Sequence, residues 1–200
     1  MLTSRRRSAG FNLIEVMIAV TVLALILGLG FPSVAEWLRN TQLRSLSESL
    51  QTGLQKARAE AIKRNRPVTF WLVSPAVGIP DASCALSSAS GSWVVSLDDP
   101  SGKCDVAASD TTAPRTIERF GNTSSNITVA ATGSGGVAAN SVTFNGFGQP
   151  LAGTTPITTI NLDHQQSGAR QLTVQISTGG GVRLCDRAFT AGSSDPRACL

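Results

Sequence analysis

The sequence predicts an α+β protein in which one long N-terminal helix, half apolar and half amphipathic, packs against an antiparallel β-sheet head. Three features point there. Residues Val16 to Leu29 read VMIAVTVLALILGL without a charge. Leu43, Leu46, Leu50, Leu54, Ala57 and Ala61 then recur at spacings of three and four, the repeat of one helix face. After Pro67 the apolar period drops to two while Gly, Ser, Asp and Pro multiply, the pattern of short strands and turns.

Composition agrees with a folded chain. With 200 residues, 42% hydrophobic and 15% charged, the chain is too apolar for a disordered one. Four Cys and 19 Gly without a three-residue repeat exclude collagen, a disulfide-dense mini-protein and a coiled-coil rod. The net charge of +4 suggests an acidic partner such as nucleic acid or anionic lipid, provided that charge is spread over a folded surface.

From Phe11 to Phe31 the 21 residues would make a helix of roughly 31 Å, about one hydrocarbon thickness. Three readings compete for this segment. A core helix would need burial on every side. A cleaved secretory signal would use Arg5, Arg6 and Arg7 as its basic region and Ser33-Val34-Ala35 as a cleavage site, releasing a chain that starts at Glu36. A retained anchor would keep the arginines in the cytoplasm and carry everything after Pro32 across the membrane. Glu15 discriminates among them, because an unpaired carboxylate inside such a run costs about 2.5–3.5 kcal/mol and a plain secretory signal gains nothing from it.

The segment Gly10-Phe11-Asn12-Leu13-Ile14-Glu15-Val16, behind a short basic leader, closely resembles the prepilin signature of type IV pilins and type II secretion pseudopilins. Asn12 stands where the usual form has Thr or Ser. The resemblance implies that residues 1–10 are a leader and that prepilin peptidase cuts between Gly10 and Phe11 and N-methylates Phe11. It also implies that Glu15, fifth in the mature chain, neutralises the terminal amine of a neighbouring subunit during assembly. The physics agrees, since a buried amine and a buried carboxylate are each costly alone and far less so as a pair. The implied location is the inner membrane, crossed once, with the head in the periplasm. The implied partners are other minor and major pilins in a filament.

Residues 11–35 thus form the membrane and assembly helix and residues 36–66 its amphipathic half, in which Arg44, Glu48, Gln51, Lys56, Arg58, Glu60 and Lys63 face away from the stripe. Pro67 ends the helix. Pro32, with Gly28 and Gly30 before it, predicts a kink, and in the family this place is a hinge.

Residues 67–200 form the head. Plausible strands are Val68 to Val73, Ser92 to Leu97, Ile127 to Ala130, Ser141 to Asn145, Ile157 to Leu162, Leu172 to Ile176 and Val182 to Cys185. Long loops run from Ser74 to Gly91 and from Asp98 to Pro114. A head exported to the periplasm is in a disulfide-permissive compartment. The four cysteines allow three connectivities, of which Cys84 with Cys104 and Cys185 with Cys199 is favoured because each pair closes a short loop. No pair has CxxC spacing and His164 is the one histidine, so no metal or other cofactor is expected.

Catalytic residues are not expected either. His164 beside Asp163 has no nucleophile to serve, Asp98-Asp99 before Pro100 reads as a turn, and Gly179-Gly180-Gly181 lacks the Lys-Ser/Thr of a phosphate loop. The chain is read as a non-enzyme.

Val142 to Pro150 (VTFNGFGQP), Leu172 to Ile176 leading into Gly181-Val182-Arg183-Leu184-Cys185, and the terminal Asp195-Pro196-Arg197-Ala198-Cys199 resemble the heads of the GspH/FimT group of minor pilins. That resemblance implies the type IV pilin fold and a low-abundance subunit that primes assembly and supports twitching, adhesion or DNA uptake. The alternatives are a DNA receptor and an H-type pseudopilin of a type II secretion system. Some members bind DNA through a Gly-Arg-x-Arg turn. The matching place, Gly180-Gly181-Val182-Arg183, lacks the first arginine, leaving Arg183, Arg187 and Arg197 as candidate phosphate contacts among Asp186 and Asp195.

Loss of the leader would remove three of the 17 basic side chains and leave 14 against 13 acidic, a net of +1. The remaining excess is local: residues 39–66 carry seven basic and two acidic side chains, a basic helix face expected to meet acidic neighbours along a filament.

Overall fold

The structure, a computed structural model, describes residues 10–151, 155–189 and 192–199. Arg5 to Arg7, expected to belong to a leader, lie outside the described residues, as do the side chains at positions 27 and 29–33, Pro32 among them. The first element, α1, is a helix over Leu13–Arg64 with 52 residues. Between Leu38 and Arg39 the chain divides into an N-terminal unit and a head unit.

In the N-terminal unit α1 is mostly apolar, with Glu15 and Glu36 as its described acids, and its described large apolar side chains, Leu13, Ile14, Met17, Ile18, Leu23, Leu25 and Ile26 among them, are exposed. Thr21 turns its hydroxyl inward and donates to the Ile18 carbonyl at 2.8 Å, so it presents no unmet donor to an apolar surrounding.

In the head unit the predicted stripe is the buried face of α1: Leu43, Leu46, Leu50, Leu54, Ala57 and Ala61 are all buried. The helix stops before Pro67 by its own chemistry. Asn65 takes the left-handed conformation (φ 48°). Its N–H donates to Ile62 and that of Arg66 to Ala61, each at 3.2 Å, the two bonds of a Schellman end.

Eight strands follow: β1 Val68–Leu72, β2 Trp93–Ser96, β3 Thr116–Phe120, β4 Ile127–Thr132, β5 Ser141–Phe144, β6 Thr159–His164, β7 Leu172–Ile176 and β8 Val182–Asp186. They form two antiparallel sheets, ordered β3-β2-β1-β5 and β4-β6-β7-β8. Two sheets replace the one expected. The reason lies in long-range pairing: β5 crosses back to β1, with Phe70 opposite Val142, while β4 pairs with β6. The strand absent from the expectation, β3, reads TIERF, and its two charges sit on an edge strand where solvent accepts them.

One core joins both sheets to the helix. Leu43 to Ala61 pack with Val68, Phe70, Leu72, Trp93, Val95 and Phe144 from the first sheet and with Val129, Ile160, Leu162 and Val174 from the second. Alternation along β1 and β2 sends Val94, together with Val73 just past β1, to the opposite face of the first sheet. There they meet Cys84, Cys104, Trp71 and Leu86. The two long loops thus cover the sheet face that the helix leaves open, which is why all four residues of β2 are buried.

Candidate assembly site

Gly10 and Phe11 precede the helix, and Phe11 is 83% exposed. The Asn12 carbonyl accepts from the N–H groups of Glu15 (3.0 Å) and Val16 (3.2 Å), which opens α1. Glu15 therefore stands in the first turn, where the positive end of the helix dipole favours a carboxylate. Among the described residues nothing bonds its carboxylate. An exposed acid in an exposed apolar segment is suited to receive a cation brought by another molecule.

Among the described residues no helix is long and apolar enough to cross a membrane. Described side chains of the uncharged run extend from Val16 to Ile26, and the uncharged sequence continues beyond them. The backbone of α1 continues through position 32.

The head holds its loops by covalent and ionic ties. Cys84 is bonded to Cys104 and Cys185 to Cys199. The first links the two long loops, and the second ties the C-terminal segment to β8. Asp98 and Arg115 form a two-pronged pair, and that guanidinium holds the Asp98 carboxyl below the usual carboxylate range. Asp99 accepts from the N–H and hydroxyl of Ser101, the turn expected before Pro100.

The basic helix face differs from expectation, because much of it is already paired within the head. Glu60 is buried rather than outward facing, accepting from Arg64 at 2.7 Å and lying 3.5 Å from Lys63. Its carboxyl sits below the ordinary 4.5, chiefly through the Arg64 hydrogen bond. Arg64 also donates to Asp110 at 2.5 Å, Lys56 lies 3.8 Å from Glu118, and Arg44 pairs with Glu48. These acidic partners come from β3 and the long loop as well as from the helix.

The three arginines read as candidate phosphate contacts all have partners. Arg183 donates to the Ala198 carbonyl and Arg187 to Asp163. Arg197 pairs with Asp195 at 2.8 Å and lies 4.1 Å over the Phe189 ring. The Arg197 side-chain hydrogen bond lowers the Asp195 carboxyl to about 2. Arg187 thus takes the aspartate that neighbours His164, whose Nδ1 accepts from the Gln166 N–H at 3.1 Å. A cavity of about 380 Å³ beside β7 and β8 is lined by Thr158, Ile176, Ser177, Gly181, Val182 and Arg183. Among the described residues no group of three or more His, Cys, Asp or Glu could hold a metal.

Sequence reasoning missed Arg58. From α1 it donates to the Gly148 carbonyl (2.9 Å) and reaches that of Gly179 (3.4 Å), tying two glycine turns to the helix. The available signal was the two glycine clusters, Gly146/Gly148 and Gly179 to Gly181, which invite a long donor to approach bare carbonyls.

Residues 46–180 match the model of the family described as type II transport protein GspH, about two thirds of the chain. Residues 5–31 match the prokaryotic N-terminal methylation motif. The chain belongs to the GspH family of minor pilins and pseudopilins. Its fold is that of the type IV minor pilin FimU of Pseudomonas aeruginosa PAO1. One crystal form of FimU is 18% identical over 78% of this chain and 98% of that one, with a TM-score of 0.50. A second form gives 18% identity over 75% and 98%, with a TM-score of 0.45. A search of curated protein sequences gives no match.

Proposed function

We propose that the chain is a minor pilin of a type IV pilus. The leader is removed after Gly10, Phe11 becomes the N-methylated first residue, and residues 11–35 anchor the subunit once across the inner membrane with the head in the periplasm. There it takes part in priming pilus assembly with other minor and major pilins. The observation that carries this reading is Glu15, a single exposed carboxylate in the first turn of an apolar helix, within a segment that matches the N-terminal methylation motif. Its role is to pair with the terminal amine of a neighbour, and Pro32 supplies the hinge. No catalytic role is assigned to any residue.

A second reading, an H-type pseudopilin of a type II secretion system, is favoured by the description of the matching family. A DNA-receptor role draws less support, because Arg183, Arg187 and Arg197 would each have to leave an internal partner to meet a phosphate. Deleting the chain in its host separates the first two. The pilus reading expects loss of surface filaments and twitching with exoprotein secretion retained. Retained filaments with lost secretion would replace it by the pseudopilin reading.

A further inference from the structure

The turn Asn145–Gln149, part of the VTFNGFGQP segment, is held more firmly than an exposed turn needs. The Asn145 N–H donates to the Gln149 carbonyl (2.9 Å) and the Gly148 N–H to the Asn145 carbonyl (2.8 Å). The Asn145 side-chain oxygen accepts from the N–H groups of Phe147 (2.9 Å) and Gln149 (3.1 Å). Arg58 holds the Gly148 carbonyl from the helix.

Around it there is no spare room. A Cβ at Gly146 would lie 2.4 Å from the Asn65 side-chain oxygen, one at Gly148 2.7 Å from Ile62, and one at Gly180 1.9 Å from the Gly148 carbonyl. The turn is wedged between the end of α1 and the β7–β8 turn.

At the tip of this braced turn Phe147 is 84% exposed, and Ile62, touching the turn from the helix, is 49% exposed. Burying a Phe side chain gains about 1.5–3 kcal/mol, yet the locked backbone holds the ring out in water. A rigid aromatic loses little freedom on binding, and such anchors dominate protein interfaces. Arg58 bonds the turn itself, and the exposed Arg66 directly follows Asn65, which the turn touches at Gly146. The carboxylate that feels Arg66, Asp98, is taken up by Arg115.

We propose that Phe147, with Ile62 beside it, docks into the head of an adjacent pilin-type subunit, which offers an apolar socket with an acidic rim. The basic flank selects the acidic rim. The pilin-type occupant rests on the filament reading given above, in which the neighbours of this head are other subunits of the same fold.

The test uses the full chain in its own host, with a photo-crosslinking phenylalanine analogue at 147 or at the exposed Thr128, and with the variants Phe147→Ala and Phe147→Leu. The expected result is a cross-link from 147, not from 128, to one subunit that mass spectrometry identifies as pilin-type. Phe147→Ala should lower the amount of chain in sheared filaments about tenfold, Phe147→Leu should keep most of it, and both should melt like the wild type. If the wild type enters filaments while Phe147→Ala enters equally well, or if 147 cross-links to nothing or to another class of protein, this proposal falls and the filament reading stands. A lowered melting temperature for Phe147→Ala would equally overturn it, since the ring would then serve its own head. Absence of the wild-type chain from filaments would overturn both.

Discussion

The role proposed for Glu15 rests on its surroundings. A carboxylate among exposed Leu13, Ile14, Met17 and Ile18 costs little in water and several kcal/mol in lipid unless a cation meets it. Glu15→Ala should therefore leave leader removal intact while lowering incorporation into filaments. Each 1.4 kcal/mol of lost pairing is about tenfold, and immunoblots of sheared filaments against whole membranes read the ratio. Gly53 makes the opposite kind of point. Helix propensity favours Gly→Ala by about 1 kcal/mol, but a Cβ here would lie 2.8 Å from ring atoms of both Phe70 and Trp93. Overpacking costs about 1–3 kcal/mol, so crowding wins and Gly53→Ala should lower the melting temperature of the head.

The helix stripe and most strands were readable as elements because their periods are local properties of the chain. Leu43 to Ala61 needed nothing beyond a spacing of three and four. β3 was hidden because TIERF carries two charges in five residues, and only its place at a sheet edge makes that tolerable. The division into two sheets was hidden too, since the pairing of β1 with β5 joins residues 70 to 76 positions apart. The basic half of α1 was misjudged for the same reason. Its acidic partners Asp110 and Glu118 come from distant segments, and Glu60 is drawn inward by Arg64 and Lys63. That burial has a pH consequence. Glu60 binds its proton less readily folded than unfolded, so its contribution is complete above about 4.5 and is lost as pH falls through the lower folded value. Asp98 and Asp110, lowered by Arg115 and Arg64, act in the same direction. The melting temperature of the head should stay level from pH 7 to about 5 and then fall. Glu60→Gln should melt lower at pH 7 and show a shallower acid decline, which a calorimetric pH series reads.

At the scale of the molecule the net charge of +4 changes meaning with position. Three of the basic side chains, Arg5 to Arg7, belong to the proposed leader, and much of the excess on α1 is matched within the head. What composition suggests as a basic binding protein reads, by position, as a nearly neutral subunit, with an exposed acid in the N-terminal unit and a braced aromatic in the head. Family membership and fold fit that account, which stands or falls on where the mature chain begins. Intact-mass and N-terminal peptide mass spectrometry of the protein recovered from its host membrane is the direct measurement. The account predicts a chain that starts at N-methylated Phe11, whereas a chain starting at Met1, or at Glu36 as a secretory signal would leave it, would contradict it.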